Sequence, residues 1–308
     1  MEESNKHTEG QVPMVSVIMA TYNCSNTLQF AIESVLLQQY TNFEIWVIGD
    51  CCTDDSAAVV LSFNDPRINW YNRSINSGSQ SAPNNDGIQR AKGKYIAYLG
   101  HDDLWFPNYL SAMVAHLEAN DLDLVHCLCP LLGPQGVIEL KGPLGKNGRY
   151  SNYHIPPTSW LHKKSIADVC GYWSNANETI VGVDIDFLSK VDDHKFKIAC
   201  LPELLVLKFP SAAWTLYSRT HNFPQENFLK EIKEDPSRVL LKILPQISLC
   251  LSRYHAYHLS LKESLDIFLK TLRNSLLDLY SRKRWPLNVL LLKKHQSARK
   301  KFRKKRGL

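Results

Sequence analysis

The hydrophobic positions of the chain form two alternating patterns. Short apolar runs rich in β-branched and aromatic residues are typical of buried strands. Stretches with apolar side chains at helical spacing lie between these runs, at 26–38 and 82–91, with a shorter helix predicted after residue 56. Strands that alternate with helices predict an α/β fold, in which helices flank a mostly parallel sheet. The predicted strands lie at residues 15–20, 43–48, 68–71 and 95–99.

The pattern continues less regularly beyond residue 107. A helix is predicted at 107–120 and a strand at 122–127, followed by a hairpin and a long glycine-rich loop at 130–160. From residue 224 the periodicity is helical, and a capping-box pattern at Ser260 precedes a further apolar stripe. The elements predicted between the loop and residue 224 are a strand, a helical turn, a helix and a late strand, at 159–162, 163–169, 182–191 and 204–208.

Composition also bears on the compartment in which the protein is expected. The chain has 308 residues, of which 44% are hydrophobic, so it can bury a large core. The eight cysteines form neither paired CxxC motifs nor a small disulfide scaffold. The first residues lack the apolar core of a signal peptide, and no apolar stretch reaches the ~20 residues that span a bilayer. We therefore expect a cytoplasmic protein.

Positive charge is concentrated near the end of the sequence. The formal net charge is +6, and residues 282–308 hold 12 of the 36 Lys and Arg residues but no Asp or Glu. Basic clusters beside an apolar segment suit an anionic membrane surface. They also suit nucleic acid or a fully solvated tail, and the pattern alone leaves these alternatives open.

Polar side chains follow three of the predicted strands. Thr21, Tyr22 and Asn23 come after the first strand, Asp50 after the second, and Asp102-Asp103 after the fourth. The carboxyl ends of parallel strands meet at one edge of a sheet, where α/β proteins bind ligands. There a tyrosine can lie against a base, and a carboxylate with a hard metal can bind a diphosphate. Asp102 or Asp103 can equally cap the next helix, so this pattern alone leaves both readings open.

Three ordered motifs resemble the family 2 glycosyltransferases of the GT-A fold. They are PMVSVIMATYN at 13–23, FEIWVIGDCCTDDS at 43–56 and NSGSQSAPNNDGIQRAKGKYIAYLGHDDLWFP at 76–107. The resemblance implies a GT-A fold of the α/β class. It also implies an enzyme that transfers a sugar, with inversion, from a nucleotide-diphospho-sugar to a hydroxyl acceptor. Mn²⁺ or Mg²⁺ is the implied cofactor, and a glycan or lipid-linked molecule is the implied acceptor.

The same resemblance assigns roles to individual residues. The family's Asp-any-Asp metal motif aligns with Gly100-His101-Asp102, so Asp102 is the expected metal ligand and Gly100 replaces the first Asp. The family's Glu-Asp pair aligns with Val183-Asp184, which makes Asp184 the expected general base, with Asp186 as the second choice. The residues expected to line the donor site are Thr21, Tyr22, Asn23, Asp50, Gly78, Asn85, Asp102 and Asp103.

The resemblance also divides the chain. We predict a flexible N-terminus at 1–12, a GT-A domain at 13–223, a helical extension at 224–292 and a basic tail at 293–308. Within the domain, 13–127 is the donor-binding half and 128–223 the acceptor half.

Acceptors of this family favour a role in surface polysaccharide or glycolipid synthesis. They also favour peripheral contact of 282–308 with the anionic inner face of the membrane, and no nucleic-acid partner is expected. Two other functions stay open. Gly100 and Val183 are compatible with a catalytically degenerate sugar-nucleotide-binding module, and the tail is compatible with nucleic-acid binding.

Some further side chains have two readings. Trp160 and Trp173 can stack on an acceptor sugar, although core packing is the more common state of tryptophan. His101 is a candidate second metal contact, but it is expected to be an exposed turn residue. His221 is a candidate contact for the diphosphate. Asp54 and Asp55 are expected to cap a helix rather than bind a metal.

Overall fold

The computed structural model describes residues 12–142, 150, 153–214 and 223–256. An eight-stranded mixed sheet with helices packed against it forms the body, and a two-stranded ribbon lies beside it. The strands are β1 (Val15–Thr21), β2 (Phe43–Gly49), β3 (Ile68–Asn72), β4 (Tyr95–Tyr98), β5 (Leu104–Trp105), β6 (Leu124–Gly133), β7 (Gly136–Lys141), β8 (Trp160–Lys163), β9 (Ile198–Leu204) and β10 (Val206–Leu207). The helices are α1 (Ser25–Leu36), α2 (Ser56–Ser62), α3 (Ser81–Arg90), α4 (Tyr109–Ala119), α5 (Ser165–Cys170), α6 (Val183–Asp193), α7 (Ser211–Trp214), α8 (Pro224–Glu234) and α9 (Pro236–Ala256).

The first half of the sheet is parallel, as the sequence predicts. Its strand order is β3-β2-β1-β4, so β1 lies between β2 and β4 and pairs with both of them in parallel. The residues of β1 and β4 are almost completely buried, because α-helices cover the sheet. The alternation of strand and helix therefore fixes which strand ends share one edge.

The second half of the sheet is largely antiparallel. β8 lies between β4 and β6 and is antiparallel to both, and β6 continues into the predicted hairpin with β7. The predicted strand at 122–127 is too short, because β6 extends to Gly133 to form that hairpin. β9 was not predicted from the pattern, since most of its residues are only partly buried or exposed. It pairs in parallel with β6.

The helices α8 and α9 pack on the ribbon that β5 and β10 form. Leu229, Ile232, Val239 and Ile243 are buried in one apolar cluster with residues of that ribbon. The described part of the predicted extension is thus helical and shares a core with the body, while its predicted boundaries remain predictions.

Several predicted segments lie outside the described residues. They are the N-terminus up to residue 11, the helix that begins at Ser260, and the basic stretch at 282–308, which includes the tail at 293–308. Within the described ranges, no helix is both long enough and apolar enough to cross a membrane.

Candidate active site

The ends of β1, β2 and β4 meet at one edge of the sheet. Thr21 at the end of β1 is paired with Gly49 at the end of β2, and the Asp50 amide donates to the Thr21 carbonyl at 2.8 Å. On the other side, His101 Nδ1 lies 3.1 Å from the Ala20 carbonyl oxygen. The topology thus brings together the three polar segments that the sequence singled out.

Asp50 is the centre of a hydrogen-bond network beside the end of β2. Its carboxylate accepts from Arg73 Nη1 at 2.7 Å, from the Ser77 amide at 3.0 Å and hydroxyl at 2.9 Å, and from the Gly78 amide at 3.1 Å. Gly78 has a φ of 73°, a left-handed conformation that glycine adopts without a Cβ penalty. Burial lowers the pKa of Arg73, but its hydrogen bonds to Asp50 and Asp86 outweigh burial and raise the pKa.

The loop after β1 is joined to the loop after β2. Asn23, with a φ of 47°, accepts from the Thr53 amide through Oδ1 at 2.8 Å. Asp54 accepts from the Ser25 amide at 2.9 Å and from the Ser56 amide at 3.1 Å, so one carboxylate binds the first turns of α1 and α2. The prediction of helix capping is confirmed for Asp54, whereas Asp55 precedes α2 without a side-chain hydrogen bond to the helix.

Thr21 and Tyr22 stand at the same edge. Thr21 is buried and its hydroxyl has no hydrogen-bond partner among the described residues, whereas Tyr22 is half-buried. An unpaired buried hydroxyl is costly unless a ligand or water binds it. Thr21 is therefore suited to contact a ligand at this edge.

Asp102 and Asp103 follow β4 and face a lysine from the far end of the described domain. Lys208 Nζ lies 2.9 Å from Asp103 Oδ2 and 3.7 Å from Asp102 Oδ1. Asp103 is fully buried and also accepts from the Phe209 amide at 3.0 Å. Burial lowers the pKa of Lys208, but the charges of Asp102 and Asp103 outweigh burial and raise the pKa, so the ammonium stays charged.

Asp102 is the residue of this cluster that fits a divalent metal. Carboxylate oxygens are ligands that Mg²⁺ and Mn²⁺ accept, while the oxygens of Asp103 are already bound by Lys208 and Phe209. In the described ranges, no three His, Cys, Asp or Glu residues are grouped as a metal site. A metal here would take one carboxylate from the protein and its other ligands from a diphosphate and water, as Mg²⁺ often does.

A small cavity lies next to this cluster. Thr158 is 3% exposed, and its hydroxyl has no hydrogen-bond partner within the part of the chain that the structure describes. Asn85, which was predicted to line the donor site, hydrogen-bonds the backbone N–H and C=O of Trp173, each at 2.9 Å, and so holds that segment in place. Its neighbour Asn84 lines the cavity but was not predicted as a site residue. The residues that line the cavity include Ala20, Asn84, Tyr98, Gly100, Asp103, Thr158 and Lys208.

Asp184 is paired with a histidine that sequence reasoning missed. Asp184 lies in the first turn of α6, and its Oδ2 is 2.9 Å from His154 Nε2. Burial raises the pKa of Asp184, but the hydrogen bond and charge of His154 and the Ile185 amide outweigh burial and lower the pKa. His154 lies three residues before Pro157, which lines the cavity, so this pair is connected to the cavity wall. Asp186, the second choice as base, pairs with Lys190 at 3.2 Å.

The remaining expectations have different outcomes. Trp160 is fully buried and Trp173 is 3% exposed, so both pack in the core, which is the more common of the two states considered for them. His101 is not an exposed turn residue, because it is partly buried against β1 and near the Ala20 carbonyl. His221 lies outside the described residues.

Comparison with known sequences gives a consistent result. The family model described as Glycosyl transferase family 2 matches residues 16–137. The putative colanic acid biosynthesis glycosyl transferase WcaA of Escherichia coli K12 is 41% identical over 108 residues, which are 34% of this chain and 38% of that protein. The E. coli UDP-Glc:alpha-D-GlcNAc-diphosphoundecaprenol beta-1,3-glucosyltransferase WfgD is 34% identical over 113 residues, which are 37% of this chain and 44% of that protein. The chain thus spans less than half the length of these relatives.

Solved structures share the fold. Staphylococcus aureus TarS 1–349 in complex with UDP-GlcNAc gives a TM-score of 0.54 at 20% identity and covers 68% of this chain and 60% of that one. The mannosyltransferase PcManGT from Pyrobaculum calidifontis in complex with GDP-Man and Mn²⁺ gives 0.52 at 15% identity and covers 94% and 88%. The fold is therefore GT-A, and the segment at 16–137, which includes Thr21, Asp50 and Asp102, matches the family 2 glycosyltransferases.

Proposed function

We propose that the protein transfers a sugar from a nucleotide-diphospho-sugar to a hydroxyl group of a glycolipid or glycan acceptor, with inversion at the sugar carbon. The observation that carries this proposal is the convergence of Thr21, Asp50 and Asp102 at one sheet edge. This convergence lies inside the segment that matches the family. A nucleotide bound there would have its base near Asp50 and its diphosphate near Asp102.

Each carboxylate in the proposal has a separate task. Asp50 would read the base, with Thr21, Tyr22, Asn23 and Gly78 shaping the same pocket. Asp102 would hold Mn²⁺ or Mg²⁺, and such a metal, when bound, stabilises the negative charge on a departing diphosphate. The proposed contributions of Asn85 and Asp103 are structural support of the donor pocket, which their present hydrogen bonds favour.

Asp184 is the proposed general base. Inverting transfer needs a carboxylate that takes the acceptor hydroxyl proton while the oxygen attacks the sugar carbon from the side opposite the nucleotide. The lowered pKa keeps Asp184 ionised at neutral pH, so it is ready to accept that proton. The contact of Asp184 Oδ2 with His154 holds the carboxylate in one position.

The substrate class is taken from the relatives. WfgD and WfaP of E. coli are named as enzymes that use UDP-Glc and a diphosphoundecaprenol-linked sugar. We propose a UDP-sugar as the donor and a lipid-linked sugar as the acceptor, with a role in surface polysaccharide or glycolipid synthesis. Such an acceptor would bring the protein to the cytoplasmic face of the membrane, where residues 282–308 would contact anionic lipid.

A transfer assay tests the proposal. The full chain is incubated with radiolabelled UDP-sugars, Mn²⁺ and a GlcNAc-diphospho-lipid, and labelled lipid product is counted. We expect product with the wild-type protein, a loss of about 10²-fold or more with Asp184→Asn, and near wild-type turnover with Asp186→Asn as the matched control.

A second candidate function is tested by the same assay. Gly100 and Val183 depart from the family pattern and favour a module that binds a sugar nucleotide without transfer. UDP-sugar binding with neither transfer nor donor hydrolysis, over a broad acceptor panel, would replace the enzyme proposal with this one. Full activity in Asp184→Asn would leave an enzyme but remove Asp184 from its chemistry.

A further inference from the structure

Lys208 lies where a cation shared by Asp102 and Asp103 would lie. Its ammonium is 2.9 and 3.1 Å from the two oxygens of Asp103 and 3.7 Å from Asp102 Oδ1. The three side chains are 24%, 0% and 8% exposed, in the order Lys208, Asp103, Asp102. Solvent therefore screens this group of charges only weakly.

The two carboxylates hold Lys208 differently. Asp103 is fully buried, and a buried carboxylate needs a charged partner, so the bond from Lys208 to Asp103 is structural. The distance to Asp102 is too long for a hydrogen bond, so Lys208 attracts Asp102 only through its charge. An ammonium has three N–H donors, and the oxygens of Asp103 can accept two of them.

Gly100 explains how this arrangement fits at the end of β4. A Cβ on Gly100 would lie 2.6 Å from Asp103 Oδ2 and 2.9 Å from Asp102 Oδ1. The space that a side chain at position 100 would enter is thus taken by the two carboxylates that flank Lys208. The cluster has two negative charges and one positive charge of its own, without a further carboxylate at position 100.

This charge balance affects a divalent metal at Asp102. A metal bound to Asp102 would stand within a few ångströms of the ammonium, and like charges at that distance repel strongly in a buried site. A nucleotide diphosphate would reverse the balance, because its negative charge attracts both the metal and Lys208.

We propose that Lys208 competes with a divalent metal for the charge of Asp102, so that the metal binds together with the nucleotide diphosphate and not before it. Lys208 also contributes its remaining N–H group to the diphosphate. The unpaired hydroxyl of Thr158 lines the same cavity and offers a second donor. The inference rests on the proposed function, because it requires a diphosphate at this edge.

Mn²⁺ binding to the full chain, measured by electron paramagnetic resonance, tests the inference without any turnover. In the absence of nucleotide, we expect Lys208→Met to bind Mn²⁺ at least about tenfold more tightly than the wild-type protein. With UDP present, we expect the wild-type protein to bind Mn²⁺ tightly, and Lys208→Met to bind UDP more weakly than the wild-type protein does. Lys208→Met is thus expected to raise the affinity for Mn²⁺ alone and to lower the affinity for UDP.

Lys163→Met is the matched control. Lys163 Nζ is 2.8 Å from Asp123 Oδ1 and its side chain is 29% exposed, close to the 2.9 Å and 24% of Lys208, while Asp123 is 19% exposed. This variant should bind Mn²⁺ and UDP as the wild-type protein does. If Lys208→Met does not fold, Lys208→Gln keeps an N–H donor for Asp103 but has no charge, and it should still bind Mn²⁺ alone more tightly than the wild-type protein.

The outcomes separate the inference from the proposed function. Equal Mn²⁺ affinity of the wild-type protein and the Lys208 variant without UDP would overturn the role of Lys208, whatever UDP does. Failure of the wild-type protein to bind UDP, with or without Mn²⁺, would instead overturn the proposed function.

Discussion

The network around Asp50 allows a comparison within one ion-pair cluster. Arg73 binds two carboxylates at the same distance, 2.7 Å from Nη1 to Asp50 and 2.7 Å from Nε to Asp86. The side chain of Asp50 is 6% exposed and that of Asp86 is 26% exposed. Replacement of each Asp by Asn therefore changes the same kind of contact at two levels of burial.

The expected costs follow from what each carboxylate binds. In Asp50→Asn, an NH₂ group replaces one oxygen and must face a donor from Arg73, Ser77 or Gly78. A lost bond to a charged group and an unpaired buried donor together cost about 3 kcal/mol in the free energy of unfolding. Asp86 is more exposed, so solvent screens its ion pair, and we expect Asp86→Asn to cost about 0.5 kcal/mol.

Urea unfolding followed by circular dichroism measures both values, and the thermal shift with UDP measures the effect on the site. We expect Asp50→Asn to lose the UDP-dependent stabilisation at a temperature where it is still folded, and Asp86→Asn to keep it. Equal losses of stability in the two variants would refute the reasoning from burial. An unchanged UDP shift in Asp50→Asn would show that Asp50 does not contact the nucleotide.

Two other substitutions test the surroundings of the site. In His154→Ala, loss of the imidazole leaves burial as the main influence on Asp184, so the pKa of Asp184 rises. The carboxylate is then protonated at a higher pH, and we expect the acidic limb of the kcat/KM profile to move to higher pH. An unmoved limb would show that His154 does not influence the catalytic carboxylate. In Gly93→Ala, the new Cβ would lie 2.6 Å from the backbone nitrogen of Ser16, which cannot move without shifting β1. Urea unfolding should therefore show a loss of about 1–3 kcal/mol in the free energy of unfolding. An unchanged free energy of unfolding would show that this segment of β1 shifts without cost.

The sheet edge could be predicted because its determinants are local. The strands β1, β2 and β4 are largely apolar runs, and the order of strands and helices decides which ends adjoin. The residues directly after those runs, such as Asp50 and Asp102, are then placed by counting along the chain. β9 was not predicted from the sequence, because a partly exposed strand has neither an apolar run nor a strict alternation of apolar and polar residues.

The partners of these residues could not be predicted because they come from distant segments. Lys208 is 105 positions from Asp103, and it follows a strand of only two residues. His154 lies in a loop without a motif, and only the folded chain brings it to Asp184. For the fully buried Trp160, the sequence alone could not choose between two states, because a ring that stacks on a sugar has the same sequence signal as one that fills a core.

The position of a bound nucleotide tests the central claim most directly. The measurement is a crystal structure of the full chain with UDP and Mn²⁺, at a UDP concentration that gives a thermal shift. We predict the uracil ring at Asp50, between the ends of β1 and β2, and the diphosphate beside Asp102 and Lys208. Nucleotide bound elsewhere on the chain, with this edge of the sheet empty, would contradict the claim.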